Sequence, residues 1–384
     1  MNDHRKSATH RQRRAHAQAS PLARHLMLTR LGAALLLALG AVAWFASHPA
    51  HAADTMAQTG TKFDADKDMQ SVLDALKALN GKPIELLSVA DARAQPTPTD
   101  AVKAVLTKNG KNTAPTALVP GVTSTDTQIP GPAGALPVRI FTPAGNGPFP
   151  VIVYYHGGGW VIANKEVYDG GARGLAKQAK AVVVSVDYRL APEAKFPASW
   201  DDALATYKWA TANAASIKGD PRRMALAGES AGGNLAVSTA VAARDAGLTM
   251  PMHVLAVYPV AQTGNLETES YKDSATAKPL NKAMIGWFVD KVFAKPTDKS
   301  DPRVDIVHAN LKGLPPVTII NAEIDPLRSD GQLLEAALEQ AGVKVDRKVY
   351  KGTTHEFFGT AAVVDDAEDA QAWAGKRLRA SLGN

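Results

Sequence analysis

Apolar positions along the chain follow three patterns in turn. Residues 31–47, LGAALLLALGAVAWFAS, form an unbroken uncharged run. From 53 to about 115 the apolar residues are spaced three or four apart in a polar background. MQSVLDALKAL therefore predicts a helix, stopped by Asn80-Gly81, and GKPIELLSVADARAQ predicts a second short one, broken by AQPTPT. From Val122 the pattern changes to strands, with VTSTDTQI and LPVRIFT flanking the turn residues PGPAGA as the arms of a hairpin.

Beyond the hairpin, β-rich runs alternate with helical segments: PVIVYY, AVVVSVD, RMALAG, HVLAVYP, PVTIINA and DRKVY. Continuously apolar strands separated by helices predict a mostly parallel, doubly wound sheet flanked by helices on both faces. No internal repeat or low-complexity tract interrupts the series. The expected organisation is a leader over residues 1–52, a small helical N-terminal cap segment over 53–120, and one α/β domain over 121–384.

Charge changes the picture only at the N-terminus. The formal net charge is +6, but residues 1–52 hold seven basic side chains and one acid. The remainder balances to zero, so nucleic acid and anionic membrane surfaces are not expected partners. Basic residues up to Arg30, the apolar run, and then Ala50-His51-Ala52 make an export signal, with cleavage expected after Ala52. The uncharged run is 17 residues long, at the low limit for a membrane span, so no stable span is expected after cleavage. The expected location is the periplasm or the exterior. The sequence assigns no oligomeric state.

Cysteine is absent, which excludes disulfides, thiol catalysis and cysteine–zinc sites. The candidate chemistry is a serine. Gly228-Glu229-Ser230-Ala231-Gly232 follows the run RMALA and opens the helical segment AGGNLAVSTAVAARDA. G-x-S-x-G arises by chance about 0.1 times in a chain this long. Its strand–turn–helix setting is that of a nucleophile held on a sharp turn. The plainer reading is an ordinary strand-to-helix turn with serine near the cap.

A serine hydroxyl needs a base, and the base needs an orienting acid. Of ten histidines, six fall in the leader, leaving His156, His253, His308 and His355. His253 begins the run HVLAVYP and is expected to pack there, while His308 sits in a polar connection. His355 follows DRKVY across an expected loop KGTT, where the end of a last strand presents the base in such folds. The acid belongs after the preceding strand. Asp325 follows VTIINA and precedes Pro326, and Glu323, two residues earlier, is the alternative. Three consecutive glycines, Gly157 to Gly159, leave backbone N–H groups unobstructed after VIVYYH, and the N–H of Ala231 adds another. Such donors suit a developing oxyanion. No dinucleotide or P-loop pattern and no paired ligand spacing is present, so neither an organic cofactor nor a metal is expected. His156 is read as structural, fixing the glycine loop.

HGGGW, DYRLAPEAKFPASWDD, GESAGGN, DPLRSDG and HEFFG occur in that order. Together they resemble the hormone-sensitive-lipase-like family of α/β-hydrolases, from about Asp64 to the C-terminus. The resemblance implies an α/β-hydrolase fold and hydrolysis of small carboxylic esters without a cofactor. It makes Ser230 the nucleophile, His355 the base and Asp325 its partner, with the N–H groups of Gly158, Gly159 and Ala231 as oxyanion hole. Asp187 to Pro192 resembles a structural motif below the site. The helices near Met69 to Ala94 correspond to a cap over the acyl pocket, and Glu229 stands where many relatives have aspartate. Trp160, Phe196, Trp287, Phe288 and Phe357 could line an apolar pocket, although aromatics at these spacings are more often core packing. Rival functions are a non-catalytic binding protein of the same fold, which would be expected to lack part of the triad, and a serine hydrolase of amides or acetylated sugars.

Overall fold

The computed structural model describes residues 61–383. The expected leader and its cleavage site after Ala52 lie outside the described residues. Among the described residues no helix is long and apolar enough to cross a membrane.

Eight strands form one sheet: β1 (Val122–Gly131), β2 (Gly134–Pro143), β3 (Phe149–Tyr155), β4 (Val182–Val186), β5 (Gly219–Glu229), β6 (Val254–Val257), β7 (Val317–Ile324) and β8 (Val345–Thr354). Their spatial order is β1-β2-β4-β3-β5-β6-β7-β8. The β1–β2 hairpin, closed by Pro132-Ala133, and the β2–β4 pair are antiparallel, and every other neighbour is parallel. The mostly parallel, doubly wound α/β architecture read from the sequence is therefore present. From β3 the chain first moves to one side, to β4, and then returns past it to β5. A crevice opens at such a switch, beyond the carboxyl ends of the strands.

The helices in chain order are α1 (Lys67–Ala78), α2 (Val89–Arg93), α3 (Pro98–Lys108), α4 (Pro115–Leu118), α5 (Asp169–Ala179), α6 (Ala198–Asn213), α7 (Ala231–Asp245), α8 (Glu269–Asp273), α9 (Lys282–Val292), α10 (Arg328–Gln340) and α11 (Asp365–Leu382). Two cores follow from the two-residue period of the central strands. Val151, Val153 and Tyr155 of β3 face α6 and α7, and Leu226, Tyr207, Leu235 and, from α10 against β7 and β8, Leu334 join the same core. Ile152 and Tyr154 face the opposite layer, where Leu175 of α5 and Leu378 of α11 close the core.

The segment ahead of the sheet divides between these layers. Met69 and Val72 of α1 and Ala101 of α3 join the α5–α11 core. Local chemistry sets the ends of these helices. Asn80 stops α1 with a left-handed φ of 59°, and Thr97 and Asp100 cap α3 reciprocally with Pro98 in its first turn. The single helix expected over GKPIELLSVADARAQ is two pieces instead. A 3₁₀ turn, Ile84–Leu86, ends at an extended Leu87, and Ser88 starts α2 by accepting the N–H of Asp91 at 3.1 Å. The local cap outcompetes continuation of the helix. The 3₁₀ turn rests on α9, where Trp287 donates its Nε1–H to the carbonyl of Leu87 at 3.3 Å. Arg93 of α2 clips the segment down, donating to the carbonyls of Val161 (2.9 Å) and Ala191 (3.0 Å) and pairing with Glu193.

KGTT, expected as a loop, belongs to β8. A register shift between Ala322 and Ile324 accommodates Gly352, whose φ is +63° and whose N–H donates to Glu323 Oε2 at 3.0 Å. The irregularity carries the strand on to Thr354, so His355 follows it directly.

Candidate active site

Ser230 occupies the junction of β5 and α7 with φ 57° and ψ −119°. This positive φ is costly for a side-chain-bearing residue. Four backbone hydrogen bonds hold it: Ser230 N–H to the Val257 carbonyl at 2.8 Å, and its own carbonyl accepting from Gly233 (3.0 Å), Asn234 (3.3 Å) and Val260 (3.2 Å). Close approach explains the flanking glycines. A Cβ on Gly228 would strike the carbonyl of Gly232, and one on Gly232 would strike the carbonyl of Tyr155 in β3. Only hydrogen side chains let β3, β5 and α7 come this near.

β7 and β8 deliver the next two groups to the same end of the sheet. His355 Nε2 lies 3.0 Å from Ser230 Oγ, and His355 Nδ1 lies 2.7 Å from Asp325 Oδ2. Asp325 Oδ1 accepts the N–H of Leu327 at 2.8 Å, which fixes the carboxylate. Ser230, His355 and Asp325 are 5%, 2% and 0% exposed. Burial would depress the imidazole pKa, but the Asp325 carboxylate overrides it, and Glu356 and Glu229 add to the rise, so the net direction is up. The arrangement polarises Ser230 Oγ through a histidine whose far nitrogen is oriented by a carboxylate. Glu323, the alternative acid, is engaged with Gly352 and does not reach His355.

The other histidines take different places. His253 is buried between Ser381 Oγ and Thr318 Oγ1, both at 2.9 Å, and burial pushes its pKa down to about 4. His308 is exposed beside Asp305. His156 stacks on Tyr188 with ring centroids 4.3 Å apart, and its Nδ1 lies 2.7 Å from the Gly157 carbonyl. The Tyr188 hydroxyl donates to the His156 carbonyl at 2.8 Å, so DYRLAP braces the glycine loop from outside the triad.

That loop leaves β3 toward Ser230. Gly158 has φ 93°, and a Cβ there would strike the Ile162 carbonyl. Its own carbonyl accepts from Val161 and Ile162, each at 3.0 Å, which curls the loop. Among the described residues, no protein acceptor takes the N–H of Gly158 or Gly159. Ala231 is the first residue of α7, where an N–H has no partner within the helix and the helix dipole is positive. The glycine loop runs against the residue that precedes the serine: a Cβ on Gly157 would lie 3.1 Å from the Glu229 carbonyl oxygen.

The five candidate aromatics separate. Phe288 of α9 lies directly on Gly159, and Trp287 packs edge-on against Phe288 at 5.4 Å. Trp160 stacks on Trp200 at 5.0 Å, and Phe196 meets Trp200 edge-on at 4.9 Å. Phe357 is fully buried between Tyr258 and Tyr350. A separate cleft of about 560 Å³ lies between α3 and α5, lined by Val102, Arg173 and Gln371, away from the triad. Among the described residues no group of three or more histidines and carboxylates is arranged to hold a metal ion.

One feature of the site escapes sequence reasoning. The Glu229 carboxylate is buried and accepts from the hydroxyls of Tyr154 and Tyr258. Glu356 lies 3.7 Å from His355 Nε2 and accepts from the Tyr168 hydroxyl at 2.6 Å. The only sequence signal is that each glutamate adjoins a triad residue.

A family model described as alpha/beta hydrolase fold matches residues 152–359. Carboxylesterase NlhH of Mycobacterium tuberculosis (strain ATCC 25618 / H37Rv) is 39% identical over 240 residues, 61% of this chain and 75% of that protein. Ethyl acetate hydrolase of Pseudomonas putida is 32% identical over 241 residues, 61% of this chain and 75% of its own. Among solved structures, the hyperthermophilic esterase from the archaeon Pyrobaculum calidifontis superposes with a TM-score of 0.74 at 31% identity. That match covers 83% of this chain and 99% of the esterase.

Proposed function

The chain belongs to the α/β-hydrolase family, in its hormone-sensitive-lipase-like group, and on that premise we propose that it is a serine carboxylesterase of short-to-medium acyl esters. The observation that carries this reading is the hydrogen-bonded line from Ser230 Oγ through His355 to Asp325, set beside a loop of unengaged glycine N–H groups. The relatives named for carboxylic ester or ethyl acetate hydrolysis support the substrate class.

In this reaction His355 Nε2 takes the Ser230 proton as Oγ attacks the ester carbonyl carbon. The carbonyl oxygen becomes an oxyanion, held by the N–H groups of Gly158, Gly159 and Ala231. Asp325 keeps Nδ1–H in place and stabilises the imidazolium. That imidazolium gives its proton to the leaving alcohol as the C–O bond breaks, which leaves an acyl group on Ser230. A water then loses its proton to His355, attacks the acyl carbon, and releases the acid while Ser230 regains its proton. No residue changes oxidation state: the proton of Ser230 leaves with the alcohol, and the one that replaces it comes from the water.

The N-terminal pattern supports export, with a leader removed after Ala52, and release to the periplasm or exterior. N-terminal sequencing of the protein recovered from its native host tests this; an N-terminus upstream of the apolar run refutes it.

Hydrolysis of p-nitrophenyl esters from acetyl to palmitoyl by residues 53–384, beside Ser230→Ala, tests the activity. Rapid short-chain turnover that disappears in the variant is expected. Faster cleavage of the matching anilides would assign an amidase instead. Binding of the esters without turnover of either series would assign a binding protein.

A further inference from the structure

Two carboxylates stand against the rear of the site without a cation. Glu229 precedes the nucleophile and Glu356 follows the base, so β5 and β8 bring them together from 127 positions apart. Among the described residues no lysine or arginine pairs with either; the ion-pair contact of Glu356 is with His355 Nε2. Tyrosine hydroxyls from three other parts of the fold satisfy them: Tyr154 and Tyr258 on Glu229, and Tyr168 on Glu356. The Tyr258 ring also lies 4.4 Å from the His355 ring, tying Glu229 to the imidazole through one side chain.

Glu356 is held in a left-handed backbone conformation, φ 70°. A non-glycine residue adopts that conformation at a cost, and such residues cluster where surrounding structure imposes a function. An ordinary loop glutamate would relax away and face water. This one keeps 19% of its side chain exposed and borders a space of about 10 Å³, shared with Glu229, Tyr168 and Thr99, about the size of one water. Two carboxylates so placed cannot both ionise freely.

We propose that Glu356 is a positioning residue for the hydrolytic reaction: with Glu229 it forms a carboxylate pair sharing one proton, which sets a single negative charge against the Nε2 edge of His355. The inference rests on the serine hydrolase reading. The charge stabilises the imidazolium formed when Ser230 is deprotonated, and it reinforces Asp325, which acts on the opposite nitrogen. The pair's own proton stays in place; the transferred proton passes only from Ser230 Oγ to His355 Nε2 and on to the leaving alcohol. The groups facing the pair are His355 and Asp325 from the strand ends, Tyr154, Tyr168, Tyr188 and Tyr258. Burial and mutual repulsion push Glu229 up to about 8, in accord with Glu229 holding the shared proton at neutral pH.

The test is Glu356→Gln, read first by NMR titration of the His355 ring in the substrate-free protein and then by the pH profile of kcat/KM. Loss of a carboxylate at this range is expected to lower the His355 midpoint by about one pH unit. The acid limb of kcat/KM should fall with it, and kcat should drop about tenfold, the factor equivalent to one unit. Glu356→Asp should restore part of both. Tyr168→Phe, which retains both carboxylates, should shift the midpoint the same way by less, and it serves if Glu356→Gln does not fold. An unchanged midpoint in either folded variant overturns the proposal. Because the titration needs no substrate, a protein that turns over no ester would refute the esterase reading separately, and the midpoint would still judge the pair.

Discussion

The Phe288 ring packs on Gly159 so closely that a Cβ at that glycine would enter the ring. One residue of α9 therefore roofs the loop assigned to the oxyanion, and the room above it depends on that side chain. Phe288→Ala removes the roof without touching the triad. The acyl-length optimum should move to longer chains, with the hexanoyl-to-acetyl ratio of kcat/KM rising about tenfold or more. An unaltered profile across a p-nitrophenyl ester series would place the acyl group elsewhere.

Gly158 answers for the loop itself. With φ 93° and the Ile162 carbonyl in the way, Gly158→Ala must displace the local backbone. Loss of one oxyanion donor lowers kcat by about 10²–10³. Steady-state kinetics beside a melting curve separates this from unfolding; full activity would remove Gly158 from the hole.

Asp325→Asn keeps the shape of the side chain but reverses the hydrogen-bond preference of the imidazole. A fall in kcat of about 10⁴ is expected, the scale of such a change in a comparable triad. Single-turnover kinetics would show the loss in acylation. A variant within tenfold of the parent would point back to Glu323.

The pH profile has a defined sign. His355 must be neutral to accept a proton, and its pKa stands above the ordinary 6.5 because Asp325 outweighs the effect of burial. Activity should thus rise with pH through a midpoint above 6.5, measured as kcat/KM against pH. For stability the sign is opposite. A raised histidine pKa stabilises the fold fully below the unfolded value, and that contribution is lost as pH rises through the folded one.

Glu229 should make the fold less stable as pH rises. Burial first, and repulsion from Glu356 second, raise it from 4.5 to about 8. Between those values the unfolded chain releases a proton that the folded chain retains, so stability declines across that window. Glu229→Gln should flatten the decline, and its melting temperature relative to the parent should increase from pH 5 to pH 8. Parallel curves would show that Glu229 is ionised throughout.

Much of this architecture is legible in the residues because it is local. Apolar runs such as PVIVYY mark buried strands wherever they fall, and Gly228-Glu229-Ser230-Ala231-Gly232 carries its own turn. Asp325 and His355 are legible because the order of strands restricts them, and because few histidines compete. The extension of β8 through KGTT is not legible, since it depends on a bulge opposite Ala322 and Ile324. The split before Ser88 shows a three-residue cap defeating a longer periodic pattern. The glutamate–tyrosine cluster is hidden for another reason: Tyr154, Tyr168, Tyr258 and Glu356 each look ordinary in sequence and acquire meaning only when four segments meet.

The serine comes from the end of β5, the carboxylate from β7 and the imidazole from β8, with Ser230 and His355 125 positions apart. On the proposed mechanism, a nascent chain possesses no reactive serine until its last strand docks, because His355 is the group that accepts the proton. Ester cleavage then becomes a clock for the completion of folding, silent in every partly built intermediate. Under the proposed export, such late assembly would keep the chemistry dormant in any chain that crosses the membrane before β8 has docked.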